Sequence, residues 1–250
     1  MFSNLTMARC RTGINMLVPQ HLERDPATQR EYAYIRHGPT IENIRFSNLV
    51  MDTVCPIYLW VGEEASAPGA IRNIAISDCF ATGERASYIG GATHLPIENL
   101  RIRDFRLEMH GEMDNEFAAQ VPLPYPVFDN WWTKGAPHAL YCRHARGMEL
   151  RDVRVAWSQV SGPWRSALRM EQVDDVDIHG FVARQAPGPA NAPAIHLTDV
   201  RRAFVHGCRA EAGTGTFLRA DGAASAGVVV GDNNLTASGR PVDLQTIEPR

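Results

Sequence analysis

Residues 41–49 read IENIRFSNL, and this stretch contains the pattern that decides the fold. Apolar residues occupy its first, fourth and sixth positions, while the positions between them vary. Six copies of this template begin at Ile41, Ile71, Ile97, Leu150, Val173 and Val200. The copies start 30, 26, 53, 23 and 27 residues apart, so the longest interval predicts one divergent unit. A period of this size indicates a stacked repeat architecture.

The local pattern within each copy favours strands over helices. Residues 44–47 alternate apolar and polar side chains, as a half-buried strand does. β-Branched residues dominate the apolar positions, which also favours strands. A unit of roughly 25 residues suits one turn of a parallel β-helix, whereas a leucine-rich repeat would show more leucine and a propeller blade would be longer. We therefore predict an all-β fold that is a parallel β-helix.

An asparagine occupies the third position of three successive copies, as Asn43, Asn73 and Asn99. Asparagine tolerates the left-handed backbone conformation of turns and bonds its neighbours through its amide group. Stacked repeats would bring these three residues into one column. The sequence therefore predicts an asparagine ladder at a turn, and the alternative is that asparagine is simply common in turns.

The composition suits one elongated domain. The chain has 250 residues, of which 44% are hydrophobic, so it can bury a sizeable core. We predict a single domain over residues 1–250, with long loops at about 19–40 and 108–139. The net charge of −3 offers no basic footprint for nucleic acid. No apolar run of about 18 residues predicts a membrane span, and no signal-peptide pattern opens the chain.

The cysteines and histidines predict neither a disulfide framework nor a metal site. None of the five cysteines forms a C-x-x-C pair, and no histidines have the spacing of metal ligands. Cys55, Cys79 and Cys208 fall near strand ends, where we predict that they are buried as small hydrophobic residues. We expect no metal and no cofactor.

The second long loop carries two adjacent tryptophans, Trp131 and Trp132. A loop of this length is usually functional or disordered. Aromatic faces stack on sugar rings, because they are large, rigid and partly hydrated. We name both residues as candidate sugar contacts, and the alternative is that they cover the core beneath the loop.

Several basic residues are candidates for binding an acidic sugar. They are Arg36 with the adjacent His37, Arg85, and Arg143. A guanidinium group matches a carboxylate in bidentate fashion, which makes arginine the preferred partner of uronic acids. The alternative for each arginine is a solvent-exposed side chain or one that braces a loop.

Asp174 and Asp175 form the only adjacent acidic pair within a repeat strand. Hydrolysis of a glycosidic bond generally needs two carboxyl groups. However, this pair fills the two variable positions of the template, where neighbouring copies carry arginine. We interpret the pair as a solvated edge and not as a catalytic pair.

Several segments resemble one family of carbohydrate-active enzymes. Residues 41–49, followed by Pro-Ile-Tyr-Leu at 56–59, resemble the C-terminal coils of glycoside hydrolase family 28. Residues 139–144 and 147–153 resemble a loop and strand of bacterial members, and residues 213–219 are similar to their last coils. This family contains the polygalacturonases and rhamnogalacturonases.

The resemblance implies a fold, an activity and one site residue. The implied fold is the right-handed parallel β-helix of the pectin-lyase-like kind. The implied reaction is hydrolysis of pectic, uronic-acid-containing polysaccharide with inversion and without a metal, in a secreted or periplasmic setting. Tyr58 matches a tyrosine that lines the sugar site in the family's I-Y-L strand.

The family's catalytic motifs, N-T-D, D-D, G-H-G and R-I-K, do not occur here in matching positions, so we assign no catalytic residue. In the family these motifs precede the coil that residues 2–5, FSNL, resemble. The repeat of FSNL at 46–49 begins its strand at Ile41, and the same offset before Phe2 falls ahead of Met1. We therefore expect the C-terminal part of a family 28-like enzyme, whose N-terminal coils and catalytic aspartates lie outside this chain.

Two alternatives to that expectation stay open. The first is a non-catalytic β-helix that binds acidic polysaccharides through its arginines and tryptophans. The second is an enzyme with a different site, such as a lyase or an epimerase. Lyases of this shape usually need calcium-binding carboxylates and a basic residue, but Lys134 is the only lysine and no acidic cluster suits Ca²⁺.

Overall fold

The computed structural model describes residues 1–18, 39–62, 69–113, 136–188 and 191–245, and the backbone of 22–24 and 31–33. Every regular element in these ranges is a β-strand, so the predicted all-β class is confirmed. The strands are β1 (Phe2–Val18), β2 (Leu22–Arg24), β3 (Glu31–Ala33), β4 (Thr40–Val61), β5 (Ala70–Gly83), β6 (Ser87–Gly90), β7 (Ile97–Glu112), β8 (Leu140–Ser161), β9 (Leu168–His179), β10 (Val182–Ala183), β11 (Pro193–Thr198), β12 (Arg201–His206), β13 (Arg209–Ala210), β14 (Thr214–Asp221), β15 (Ala226–Gly231) and β16 (Ser238–Leu244). No helix among the described residues has the length and apolar character to cross a membrane.

Parallel pairing between successive repeat units holds these strands together. The longest path runs β1-β4-β5-β7-β8-β9-β11-β14-β16. On side branches, β6 lies between β4 and β8, β12 lies between β9 and β15, and β10 pairs with β8 and β13. Among the strands that the structure describes, only β2 and β3 pair in antiparallel fashion. The segment at 19–40, predicted as a loop, thus contains this short strand pair, and its last residue, Thr40, is the first residue of β4.

The apolar positions of the template set the register. Ile74 pairs with Ile44 on one side and Leu100 on the other, and Ile76 pairs with Ile102. Ile74, Leu100 and Ile102 are at most 1% exposed, and they belong to one core that runs through the described units. Burying each such side chain contributes about 1.5–3 kcal/mol, so a slip of one residue would turn the whole apolar set outward.

Within the described residues, the longest interval between template copies contains no divergent unit, contrary to the prediction. β7 pairs directly with β8, and this places Ala145 beside Ile97 and Leu150 beside Ile102. The structural equivalent of Ile97 is therefore Ala145, and not Leu150. The pattern was misread because Ala145 and Gly147 stand where other copies have isoleucine and asparagine. The strand β7 also continues to Glu112, so the second long loop begins later than residue 108.

The predicted asparagine ladder is confirmed. Nδ2 of Asn73 donates to Oδ1 of Asn43, and Nδ2 of Asn99 donates to Oδ1 of Asn73, each at 3.0 Å. All three residues have left-handed backbone conformations, with φ of 59°, 55° and 53°. Gly147 continues the column with φ of 67°. A single left-handed residue bends an extended chain, so these positions mark where each unit changes direction.

Two more columns of left-handed residues bend the chain in the same way. Asn48, with φ of 53°, donates from Nδ2 to Oδ1 of Asn4 at 2.7 Å. Within β8, left-handed φ at His144, Gly147, Asp152 and Gln159 divides the strand into five extended segments. This explains how a strand of 22 residues can wrap around the core while it keeps its pairing.

The cysteines behave as the sequence predicts. All five are free thiols, and Cys55, Cys79 and Cys208 are at most 3% exposed. Burial raises the pKa of the Cys55 thiol to about 12 and that of the Cys79 and Cys208 thiols to about 11. They therefore stay protonated at neutral pH and serve as small apolar side chains.

Candidate functional site

Two parallel rows of polar and aromatic side chains follow one outward sheet surface, which we call the charged face. The register places the first row at Tyr58, Tyr88, Tyr141, Arg169, His196, Arg219 and Asp243. The second row, two residues further along each strand, contains Trp60, Gly90, Arg143, Glu171, Thr198 and Asp221. Because side chains alternate along a strand, the residues between the rows point into the core.

The intervening residues confirm this alternation. Leu168 and Met170 on β9, and Ile195 and Leu197 on β11, are all 0% exposed. Neighbouring parallel strands lie about 4.8 Å apart, so each row presents one side chain at roughly that interval. The charged face is therefore a long and regular surface carried on a rigid sheet.

Three tyrosines form the first part of the first row. The ring centroids of Tyr58 and Tyr88 lie 5.5 Å apart, and those of Tyr88 and Tyr141 also lie 5.5 Å apart. All three residues are at most 4% exposed. Burial raises the pKa of the Tyr58 and Tyr141 phenols above their usual range, so both remain protonated at neutral pH.

A hydrogen-bonded cluster follows where the tyrosines end. The hydroxyl of Tyr141 donates to Oε2 of Glu171 at 2.6 Å, while Oε1 accepts from Nε of Arg169 at 2.8 Å. Nη2 of Arg169 also lies 2.7 Å from Glu171 Oε1. Nη1 of Arg169 is buried and has no hydrogen-bond partner among the described residues. This guanidinium group keeps donor capacity that its own carboxylate does not use.

The next strand carries a histidine held by an aspartate. Nε2 of His196 lies 2.8 Å from Oδ2 of Asp221, and Oδ1 of Asp221 accepts from the Thr198 hydroxyl at 2.5 Å. Burial and the charge of Arg169 lower the pKa of His196. Burial opposes ionisation of Asp221, but hydrogen bonds from Thr198 and His196 outweigh it and lower the pKa of this carboxyl. At neutral pH the pair is therefore a neutral imidazole beside a carboxylate.

The first row ends in an arginine–aspartate cluster. Nε of Arg219 lies 3.0 Å from Oδ2 of Asp243, and Nη2 of Arg240 lies 3.1 Å from Oδ1 of Asp243. The side chain of Asp243 is only 7% exposed, so these contacts satisfy a buried charge. Arg169, His196 and Arg219 each contact one carboxylate, and they stand side by side on three neighbouring strands.

Further polar groups surround the rows. His138 stacks against Tyr141 with centroids 6.0 Å apart, and its Nδ1 accepts from the backbone N–H of Ser166 at 3.2 Å. Burial, then the charges of Arg169 and Arg165, lowers the pKa of His138 well below its ordinary value. Complete burial of an imidazole favours its neutral form because it removes the water that stabilises the charge.

Turn residues form one side of a surface cleft next to the second row. The cleft has a volume of about 500 Å³, and its lining includes His144, Gln172 and Asp199. These residues directly follow Arg143, Glu171 and Thr198 in their strands. The charged face thus has an open space along one edge.

Of the predicted site residues, the structure brings Tyr58 and Arg143 onto this face. Tyr58 is only 3% exposed, so its ring contacts Tyr88 more than solvent. Arg143 is half-buried in the second row, and its Nη2 lies 2.7 Å from Nε2 of His144. Arg143 is the better placed of the two to contact a ligand.

Arg85 is a loop-bracing residue. Its Nη1 donates to the carbonyl of Glu84 at 2.9 Å and to the carbonyl of Glu112 at 2.7 Å. Both acceptors are backbone groups beside the ends of strands, and Arg85 belongs to neither row. This geometry matches the alternative given for it from the sequence.

Four predicted contacts, Arg36, His37, Trp131 and Trp132, lie outside the described residues. The predicted solvated edge holds for Asp175, whereas the side chain of Asp174 is only 16% exposed and lies against two arginines. Nη2 of Arg202 lies 3.0 Å from Oδ1 of Asp174, and Nη2 of Arg201 lies 3.7 Å from Oδ2 of the same carboxylate. Asp175 is exposed at a left-handed turn position.

Apart from Tyr58 and Arg143, the residues of the charged face are not among those predicted from the sequence. Its members lie in three short segments that alternate apolar and polar residues, namely LRME at 168–171, IHLT at 195–198 and LRAD at 218–221. In all three segments the second residue is arginine or histidine, and the fourth residue is acidic or threonine. This recurrence is the signal that could have identified the site.

The described ranges contain no group of three or more histidine, cysteine, aspartate or glutamate residues arranged to hold a metal ion. Comparisons with protein-family models, with curated proteins and with solved structures found no match to this chain.

Proposed function

We propose that the chain is a right-handed parallel β-helix whose charged face binds pectic polysaccharide containing uronic acids. The parallel pairing of strands in successive units supports the helix. Handedness follows from a general rule, since crossover connections between parallel strands are right-handed in about 98% of cases. The resemblance of residues 41–59 to family 28 supports the class of ligand and a secreted or periplasmic setting.

One observation carries the proposal, which is the alignment of Arg143, Arg169 and Arg219 on the charged face. Each arginine has five N–H donors, and Glu171 engages only Nε and Nη2 of Arg169. Asp243 contacts Arg219 through Nε. Arg219 therefore keeps its Nη donors for a ligand carboxylate, which a guanidinium fork matches well, whereas Nη1 of Arg169 is buried from solvent.

The shape of the face also suits a polymer. From β8 to β14 the rows present polar side chains on successive strands, so a ligand that lies along them there meets a new one at each strand. A small ligand would need a closed pocket that buries most of its surface, whereas a chain needs an open groove. The cleft beside Gln172 and Asp199 supplies such an open edge.

Titration calorimetry with oligogalacturonides tests the binding proposal. We expect saturable binding that weakens about tenfold or more in Arg169→Gln, because one charge-assisted hydrogen bond contributes about 1.5–3 kcal/mol. Arg154→Gln is the matched control, since Arg154 pairs with Glu211 at 2.8 Å and lies outside both rows. Absence of saturable binding by the wild-type chain would refute the proposal.

A second candidate function is hydrolysis of the same polysaccharide, as the C-terminal part of a family 28-like enzyme. Glu171 and Asp221 favour it, because they lie in the second row on either side of Thr198. Two strand spacings amount to about 9.6 Å, close to the upper end of the roughly 6.5–9.5 Å between carboxyl groups of inverting glycosidases. Release of saturated oligosaccharides with inverted anomeric configuration would support this candidate, and binding without turnover would leave the non-catalytic function.

A further inference from the structure

His196 has an unusual position within the charged face. It lies in the first row between Arg169 and Arg219, each on a directly neighbouring strand. The side chain is 20% exposed, and those of Arg169 and Arg219 are 14% and 25% exposed. A ligand that reaches His196 therefore meets a guanidinium group on each side of the imidazole ring.

The partners of His196 define its tautomer. Nε2 lies 2.8 Å from Oδ2 of Asp221, and a carboxylate only accepts hydrogen bonds, so Nε2 carries the proton. Thr198 donates to the other oxygen of Asp221 and holds the carboxylate in place. Nδ1 has no hydrogen-bond partner among the described residues, so its lone pair is available. A neutral imidazole oriented by an aspartate is the arrangement of a general base.

The charged groups around His196 keep it neutral. Arg169 faces it from β9 and Arg219 from β14, while His138 approaches from the segment before β8. Of the carboxylates in the described ranges, Asp221 is the one that contacts the ring. Burial and the two guanidinium groups lower the pKa of His196 against the opposing effect of Asp221. A base that is unprotonated near neutral pH is ready to accept a proton.

The same guanidinium groups would activate a uronate for proton loss. The hydrogen on the carbon next to a carboxylate is weakly acidic, because the resulting carbanion places its charge on the carboxylate oxygens. Cations at those oxygens stabilise that charge in the transition state. The Nη donors of Arg219, whose side chain is 25% exposed, lie beside the base, and the charge of Arg169 adds to the positive potential there.

We propose that His196 is a general base that cleaves bound uronate chains by β-elimination. The proposal rests on the proposed function, since it requires a uronate on the charged face. Nδ1 takes the proton from the carbon next to the carboxylate, and the C–H electron pair forms a double bond to the neighbouring ring carbon. The bond from that carbon to the glycosidic oxygen breaks, solvent water protonates the leaving oxygen on the opposite face of the ring, and the imidazolium returns its proton to solvent. The products are a free hydroxyl end and an α,β-unsaturated uronate, with no water consumed.

Ultraviolet absorbance of the unsaturated uronate tests the proposal with the full chain and polygalacturonate. We expect absorbance to rise with the wild-type chain and with the control Arg154→Gln, and not with a carboxyl-reduced polymer. His196→Ala and His196→Gln should each lower the rate about 100-fold or more, the usual contribution of a general base. Circular dichroism and oligogalacturonide titration should show that both variants fold and still bind.

The outcomes separate the two proposals. Wild-type binding without unsaturated product, or with saturated products only, would overturn the elimination proposal and leave the binding proposal intact. An equal rate in His196→Gln and wild type would also overturn it. Absence of binding by the wild-type chain would refute both proposals.

Discussion

Asn73 donates a hydrogen bond from Nδ2 to Oδ1 of Asn43, one repeat earlier, at 3.0 Å, and accepts the equivalent bond from Asn99. The residue therefore combines two roles. It adopts a left-handed turn with φ of 55°, and it links three units through its side chain. Alanine can fulfil neither role, whereas glycine fulfils only the first.

This relationship predicts an ordered series of stabilities at position 73. Asn73→Ala should lower the free energy of unfolding by about 2–3 kcal/mol, because the left-handed backbone costs a non-glycine residue about 1–2 kcal/mol and a hydrogen bond contributes about 1 kcal/mol. Asn73→Gly should cost about half as much, since only the side-chain bonds are lost. Urea unfolding gives both values. No loss in Asn73→Gly would show that the ladder contributes nothing, and equal losses in the two variants would show that the left-handed backbone carries no penalty.

A pair of substitutions at adjacent positions tests the register of the core. Leu100 is 0% exposed, and the next residue, Arg101, is exposed. Leu100→Ala should cost about 2–5 kcal/mol through lost burial and the resulting cavity. Arg101→Ala should change stability by less than about 0.5 kcal/mol, as surface substitutions usually do. A larger loss in Arg101→Ala than in Leu100→Ala would mean that the strand faces the other way.

The fold class could be read from residues 41–49 because its causes are local. Alternation and β-branching are properties of neighbouring residues, and the asparagine column needs only an equal spacing of Asn43, Asn73 and Asn99. The template does not fit β8, where Ala145 and Gly147 replace its apolar residue and its asparagine. Alanine has too little apolar character to mark a core position, so the template matches the next apolar triplet, which begins at Leu150.

The charged face could not be assembled from the sequence in the same way. Arg169, His196 and Arg219 are separated along the chain, and only the register between β9, β11 and β14 makes them neighbours. Their alternating segments are visible in the sequence, but alternation alone does not say which strands lie side by side. Tyr58 was found through resemblance, and the sequence could not show that Tyr88 would cover its ring.

Glu171 offers a test of how internal carboxylates compete with a ligand. Glu171→Gln should lower the free energy of unfolding by about 1–3 kcal/mol, because Arg169 is mostly buried and loses its charged partner. The same variant should bind oligogalacturonides more tightly, since it removes a negative charge and frees donors of Arg169. Urea unfolding and calorimetry measure the two effects, and Glu211→Gln, which removes the partner of Arg154, is the control. Weaker binding by Glu171→Gln would place the ligand elsewhere.

Thiol reactivity tests the packing of the described core. Burial raises the pKa of the Cys55 and Cys142 thiols to about 12 and that of the Cys79 and Cys208 thiols to about 11. Cys10 is the one half-buried thiol. An aromatic disulfide reagent should therefore modify one thiol in the folded chain and all five after denaturation, because the thiolate is the reactive form. Rapid modification of more than one thiol in the folded wild-type chain, or of any thiol in folded Cys10→Ser, would contradict this packing.

The buried histidines predict that stability falls in mild acid. Burial, with the charge of Arg169, lowers the pKa of both His138 and His196 below the ordinary value of 6.5. Below that pH the unfolded chain binds protons that the folded chain does not, so the free energy of unfolding rises with pH in this range. The stability that the two neutral histidines contribute is complete above pH 6.5, and it is lost as the pH falls towards their pKa values in the folded chain.

The slope of the free energy of unfolding against pH should be about 1.4 kcal/mol per pH unit for each histidine that the folded chain keeps neutral. His138→Gln removes one of these groups and should flatten the dependence by up to that amount, while its stability relative to wild type should stay constant above neutral pH. Urea unfolding at a series of pH values measures both slopes. If His138→Gln and wild type lost stability equally on acidification, proton uptake by His138 would not be part of acid unfolding, and its burial beside Tyr141 and Arg169 would have to be reconsidered.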